Sequence, residues 1–437
     1  MGSYIPVNPS EREQMMAAVG LKSVDELFSQ IPDEIKVPSL HLPAGMSELE
    51  VGRSMRRLAD KNRGFKTIFR GAGAYHHYIP SIVKSITGKE EFVTAYTPYQ
   101  AEISQGILQS IFEYQTLVCQ LTGMDVSNAS VYDGASAAAE AIAMCVNSKR
   151  PKMLVSASTH PMTLRTMQTY CFGSGAQLGI VPLKEGVTDR EALKRMLDDT
   201  TAGFFLQQPN YYGLIEDAEA LGAMTHESGA GYVMAVNPVS LGLMKTPAEQ
   251  GADIAVGEGQ PLGIPLSFGG PYLGFMASTT AMMRKLPGRI VGETVDVAGN
   301  RAFVLTLQAR EQHIRRDRAS SNICSNQALC AMMAAVYMAA MGPDGLRQVA
   351  TQCLSKARYA ASKISEIPGF GLRYPGEFFH EFVTECPGNV AELLSALEKE
   401  GILGGYPLDN AILWCVTEMN TKEEIDHLVG IVQKACR

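Results

Sequence analysis

The stretch AGFFLQQPNYYGLIEDAEALGAMTHESGAGYVMAV (Ala202–Val236) holds two apolar runs, Phe204–Leu206 and Tyr232–Val236, on either side of a helical segment, Ala218–Ser228. Runs that are apolar at every position, rather than at alternate ones, belong to strands buried on both faces. Similar short runs stand upstream at Met153–Val155 and downstream at Ile254–Val256 and Leu273–Met276, and Pro161–Tyr170 reads as a helix between them. Strands alternating with helices predict an α/β domain on a mostly parallel sheet covered on both sides.

Outward from this core, Ile103, Ile107, Ile111, Tyr114, Val118 and Leu121 recur at helical steps and predict a helix that ends before Gly123. Asp133 stands where it would cap an alanine-rich helix after Gly134. A long amphipathic helix is expected from near Ser325 to Gly342-Pro343. Beyond it lies a smaller α/β unit, with strands at Phe378–Val383 and Ile412–Val416, helices at Ala391–Glu400 and Glu423–Ala435, and a capping box at Thr421/Glu424. Before the core, Ser10/Glu13, Ser23/Glu26 and Ser47/Glu50 read as capping boxes of short helices, broken by Pro32, Pro38 and Pro43. The expected organisation is a helical arm (1–65), a large domain (66–320), and a connecting helix with a small domain (321–437).

With 437 residues, 46% hydrophobic and 19% charged, the chain is too apolar for disorder and long enough for more than one domain. A net charge of −7 argues against non-specific nucleic-acid binding, and no apolar run approaches a bilayer-spanning length. The start carries no basic-then-apolar leader pattern, so a cytoplasmic protein is expected. Nine cysteines without a CxxC pair fit buried free thiols, and no metal-ligand spacing is present. His76 and His77 are adjacent, but nothing in the sequence pairs them with further ligands. Gly71-Ala-Gly73 and Gly257-Glu-Gly259 both fail the dinucleotide fingerprint, and no GxxxxGK[ST] occurs. The cluster Arg310, Arg315, Arg316 and Arg318 reads as a solvated face, with a contact to an acidic partner as the alternative.

Thr94–Gln105 concentrates two phenols, an amide and a carboxylate around Pro98, just before and within the expected first turn of a helix. TAYTPYQAEISQG (Thr94–Gly106) resembles the signature of the glycine decarboxylase, or P-protein, family of the glycine cleavage system. GAGAYHHYIP (Gly71–Pro80), NASVYDGASAAAEA (Asn128–Ala141), FGGPYLGF (Phe268–Phe275) and LTLQAREQHIRRDRASSNICSNQAL (Leu305–Leu329) match it in order along the chain. The likeness is to the N-terminal half, which in a two-subunit form of the enzyme is subunit 1.

The resemblance implies the type I pyridoxal-phosphate fold. It implies that the enzyme removes CO2 from glycine on pyridoxal phosphate and passes the aminomethyl group to the lipoyl arm of H-protein. It also implies a second glycine decarboxylase subunit as partner. In the family's HK…GGGGPG pattern the lysine that holds the cofactor precedes the glycine-rich turn by about nine residues. Read back from Gly269-Gly270-Pro271, GEGQPLGIPLSFGGP puts Gln260 at that place, and Gln cannot form an imine. Lys245 and Lys285 lie on other elements. The chain is therefore expected to bind the cofactor only through its partner and to complete the partner's active site. Tyr96, Pro98, Tyr99, Gln100 and Glu102 are the candidate lip residues. Ser136, at the helix start where the fold takes the phosphate, His160, at the ring-stacking position, and Gln260 are candidate remnants of a cofactor site. A self-sufficient enzyme with an unrecognised lysine and a pure scaffold are the alternatives.

Overall fold

The computed structural model describes residues 6–37, 39–94 and 96–435; Pro38, Ala95 and Cys436 lie outside the described residues. The chain divides into two compact units, Met1–Arg63 and Gly64–Arg437.

The first unit carries helices at Pro9–Ala18 and Glu48–Ala59 and two short 3-10 turns. Ser47 and Glu50 form the capping box read from sequence. At the first helix the box is instead Asn8/Glu11, because Pro9 takes the first helical position and leaves Ser10 inside the helix. Ser23 makes no side-chain cap, since the Glu26 carboxylate accepts the Lys22 N–H instead.

The second unit is built on a seven-stranded sheet. Its strands are β1 (Val126–Ser127), β2 (Lys152–Ser156), β3 (Gln177–Val181), β4 (Thr201–Gln208), β5 (Gly231–Val236), β6 (Ile254–Glu258) and β7 (Gly274–Ser278), in the order β1-β7-β6-β5-β4-β2-β3. β2 through β6 pair in parallel, while β7 runs antiparallel to both its neighbours, so the sheet is mixed. The continuous apolar runs serve two cores. Leu154, Phe204, Leu206, Tyr232 and Met234 enter one, and Met153, Val155, Phe205, Val233 and Val256 enter the other.

Helices α1 (Gln105–Thr122), α2 (Gly134–Cys145), α3 (Pro161–Ser174) and α4 (Ala218–Glu227) accompany the sheet. α1 ends where expected, on Gly123 at φ +73°. It begins later than the apolar spacing suggests, because Gln100 is extended and Ala101–Ile103 is a separate 3-10 turn, which leaves Ile103 exposed.

α5 (Ala328–Ser365) does break at Gly342, at φ +61°, but Pro343 starts a second helical segment at once. By length and composition α5 could cross a membrane. Its buried residues, including Ala334, Tyr337, Cys353 and Ala357, enter the protein's own cores. The C-terminal α/β part has strands β8 (Glu381–Glu385), β9 (Tyr406–Leu408) and β10 (Ala411–Cys415) in the order β8-β10-β9, with α6 (Val390–Lys399) and α7 (Lys422–Ala435) around Trp414. β8 starts later than the run Phe378–Val383 implies, because Phe379 donates to the Gly213 carbonyl and His380 turns into a cleft. Thr421 and Glu424 form the expected box. Cys324 is exposed, against the expectation of a buried thiol.

Candidate active-site cleft

A cleft of about 360 Å3 opens where β4, β5 and β6 end and α2 begins. Gln207, Asn237 and Glu258 reach it from those strand ends, Asp133 and Gly134 from the helix start, and His380 and Glu381 from the C-terminal α/β part. Ala72–Tyr75 closes one side. Strand C-termini beside a helix N-terminus are where open α/β sheets bind their ligands.

The helix start is already occupied. The Asp133 carboxylate accepts the Ser136 N–H at 2.7 Å, and Glu258 Oε2 accepts the Gly134 N–H at 3.0 Å. Glu258 Oε1 also takes the N–H groups of Gln260 and Leu273, at 3.0 and 2.9 Å. Burial pushes the Glu258 carboxyl up to about 7 despite these three bonds. Two carboxylates thus stand where the fold would seat a phosphate.

Gln260 does not line the cleft; it is sealed behind it, 1% exposed. Its Oε1 accepts the Tyr75 N–H at 2.8 Å, and its Nε2 donates at 2.8 Å to the carbonyls of both Tyr75 and Ile264. No lysine is among the lining residues. Lys245 donates to Glu219, and Lys285 to the Met144 carbonyl. The cleft therefore does not fit covalently bound pyridoxal phosphate: it lacks the amine and opposes the phosphate.

His160 caps α3, with Nδ1 accepting the Met162 N–H at 3.1 Å, while Nε2 lies 2.9 Å from the Ala72 carbonyl. These partners assign a neutral ring with its proton on Nε2, and burial holds its pKa below the usual histidine range. The ring meets Tyr211 edge-on at 5.1 Å. Glu381 is fully enclosed, accepts the Ala72 N–H at 2.7 Å and the Tyr75 hydroxyl at 2.8 Å, and is raised by burial to about 7. Burial, with His77 beside it, holds His380 down at about 3, and its Nδ1 has no partner. Spacing does not reveal Glu258, Glu381, Asn237 or His380, because each is read only through the fold.

The lip residues lie elsewhere on the chain's surface and none lines this cleft. Tyr96 is 92% exposed, Tyr99 55%, and Gln100 and Glu102 are exposed, while Pro98 is buried and fixes the turn between the phenols. They precede α1 rather than entering its first turn, so its free N–H groups do not serve them. Ser136 gives its backbone N–H to the Asp133 cap and does not line the cleft either. His77 Nδ1 lies 2.8 Å from Glu418, and the Cys353 thiol donates to the same carboxylate at 3.3 Å, a grouping the sequence did not suggest. Of the arginine cluster, Arg315, Arg316 and Arg318 are exposed, but Arg310 turns inward to the carbonyls of Leu307 and Gly288.

The mixed seven-stranded sheet, the C-terminal α/β part and the cleft at the strand ends define a type I pyridoxal-phosphate-dependent fold. The glutamate decarboxylase of Lactobacillus brevis shares it at 13% identity and a TM-score of 0.69, over 94% of this chain and 97% of that one. The chain belongs to the family described as "Glycine cleavage system P-protein", which it matches over residues 2–432. It is 51% identical to the "Probable glycine dehydrogenase (decarboxylating) subunit 1" of Moorella thermoacetica, over 99% of each chain. The protein of the same name from Desulfitobacterium hafniense is 49% identical over 98% of each. A crystal structure of glycine decarboxylase (P-protein) of the glycine cleavage system, in inhibitor-bound form, superposes with a TM-score of 0.93 at 40% identity, covering 99% of this chain and all of that one.

Proposed function

We propose that this chain works as subunit 1 of a two-chain glycine decarboxylase in the cytoplasm, assembled as two copies of each subunit. In this reading the second subunit holds pyridoxal phosphate, and the complex hands the aminomethyl group of glycine to the lipoyl arm of H-protein. The cofactor supplies the electron sink that lets the carboxylate leave as CO2. The observation that carries the reading is Gln260: where the family's pattern has the lysine stands a fully hydrogen-bonded amide, sealed behind a cleft that no lysine lines.

This chain's share of the work then falls to its surface. Tyr96 and Tyr99 offer rigid aromatic area and a hydroxyl each, suited to enclosing a small substrate and excluding water from a partner's pocket. Pro98 holds the two phenols apart, and Gln100 and Glu102 offer polar groups beside them. The test is co-purification with subunit 2, followed by borohydride reduction in the presence of pyridoxal phosphate. The expected result is an adduct on one lysine of subunit 2, and decarboxylation only by the mixture. A stoichiometric adduct on a single lysine of this chain would overturn the reading.

A further inference from the structure

Arg289 sits at the entrance to the hairpin formed by Ile290–Val295 and Arg301–Thr306, and it is 5% exposed. Its backbone is fixed: its carbonyl accepts the Ala129 N–H at 2.8 Å, and the following residues Ile290 and Val291 are buried. The hairpin is stapled to α1 by two glutamines. Gln105 brackets the backbone of Phe303, and Gln115 that of Val291, each accepting from N–H and donating to C=O at 2.8–3.0 Å.

This framework brings Arg289 against Tyr99 of the lip. Nη2 donates to the Tyr99 hydroxyl at 3.3 Å, and the guanidinium carbon lies 5.4 Å from the ring centre. Among the described residues, Nε is sealed from solvent without a hydrogen-bond partner. Stacking on one ring leaves the unpaired N–H of a buried charged group uncompensated, so the contact with Tyr99 does not by itself account for the placement.

The donors are matched to one kind of ligand. A guanidinium has only N–H groups to give, and Tyr99, whose oxygen accepts from Nη2, keeps its own proton to donate outward. A second cation, Arg310, donates to the carbonyl of Gly288, next to Arg289 in the chain. An unpartnered guanidinium N–H beside a hydroxyl with a proton to give calls for an oxyanion.

We propose that Arg289, together with the Tyr99 hydroxyl, receives an oxyanion of the partner subunit's reaction centre, either the cofactor's phosphate or the carboxylate of glycine. This rests on the reading that the lip enters the partner's pocket.

The test uses the complex with subunit 2, carrying wild-type chain, Arg289→Met or Arg289→Lys. Light scattering reports assembly, titration of the cofactor-free complex reports affinity for pyridoxal phosphate and for phosphate-free pyridoxal, and the cofactor's absorbance reports glycine binding. Arg289→Met should assemble and lose about tenfold or more in one affinity, the loss expected for a hydrogen bond to a charged group. A loss for pyridoxal phosphate but not pyridoxal identifies the phosphate; a loss for glycine alone identifies the carboxylate. Arg289→Lys should recover part of it, since charge remains but the fork is gone. An assembled Arg289→Met complex that binds all three ligands like wild type overturns the inference and leaves the reading in trans intact. Failure of that variant to assemble, with wild type assembling, also overturns it, since Arg289 would then pair with a carboxylate side chain of the partner. A wild-type chain that never joins subunit 2 defeats both.

Discussion

Gln260 and Tyr75 are joined as amide to peptide: the side-chain oxygen accepts the Tyr75 N–H and the side-chain nitrogen donates to the Tyr75 carbonyl, both at 2.8 Å. A lysine here could satisfy only the carbonyl, and its ammonium would be buried. The amide is a strap that ties the cleft wall, Ala72–Tyr75, to the turn after β6.

Gln260→Ala should therefore act on stability. It orphans the Tyr75 N–H and the carbonyls of Tyr75 and Ile264, at a cost of about 2–4 kcal/mol in unfolding free energy, read by denaturant titration. Turnover per assembled complex should stay near wild type. A variant as stable as wild type would show that the strap is not needed. Gln260→Lys should add no second equivalent of pyridoxal phosphate per pair of unlike subunits, since Glu258 and Asp133 still stand at the start of α2.

The two enclosed carboxyls make stability fall with pH. Glu258 and Glu381 are raised to about 7, so the folded chain binds protons more tightly than the unfolded one. Their contribution is fully present below the unfolded value of about 4.3 and is lost as pH rises through 7. For Glu381 the loss is on the order of 3 kcal/mol. Glu381→Gln keeps an acceptor for the Ala72 N–H and a donor for the Tyr75 hydroxyl. Unfolding measured at pH 5 and pH 8 should show the wild type losing more stability than this variant. Equal losses would show that Glu381 titrates normally.

The strands were legible in sequence because burial on both faces leaves every position apolar, as in Phe204–Leu206 feeding two cores in turn. Helix ends were legible where a single residue decides them: Gly123 in its left-handed conformation, or Asp133 on the Ser136 N–H. The first arm helix misled because Pro9 outranks the Ser10/Glu13 pattern in setting the start. Of Ser136, His160 and Gln260, only His160 lines the cleft. The bond between Ala72 and Glu381 spans 309 positions, and no local spacing encodes it. Glu258 lies two residues before Gln260 but reads as the end of an apolar strand until the start of α2 is placed against it.

Gly71 is required by close approach. A Cβ there would come within 2.4 Å of Glu381 Oε1 and 2.9 Å of the Cys415 Cβ, which cannot move aside. Gly71→Ala should cost about 1–3 kcal/mol by overpacking and should loosen the contact of β8 and β10 with the cleft wall. Gly52, inside the helix Glu48–Ala59, meets nothing within 4 Å, so Gly52→Ala should gain about 0.5–1 kcal/mol. Thermal unfolding of the two variants should move in opposite directions; a neutral Gly71→Ala would show that β8 and β10 can shift to admit the methyl group.

Tyr96 separates a lip from a scaffold. Its side chain is 92% exposed, so nothing in this chain depends on its hydroxyl, and Tyr96→Phe should leave the thermal stability of the isolated subunit unchanged. If the phenol reaches into the partner's pocket, losing one positioned hydrogen bond to a charged group costs about 1.5–3 kcal/mol, or about ten- to a hundredfold in rate. Exchange of labelled bicarbonate into glycine by the reconstituted complex should fall by that factor. Tyr96 should also become protected from nitration when subunit 2 is added. Wild-type exchange together with unchanged nitration would put Tyr96 outside the interface and reduce this chain to a support for its partner.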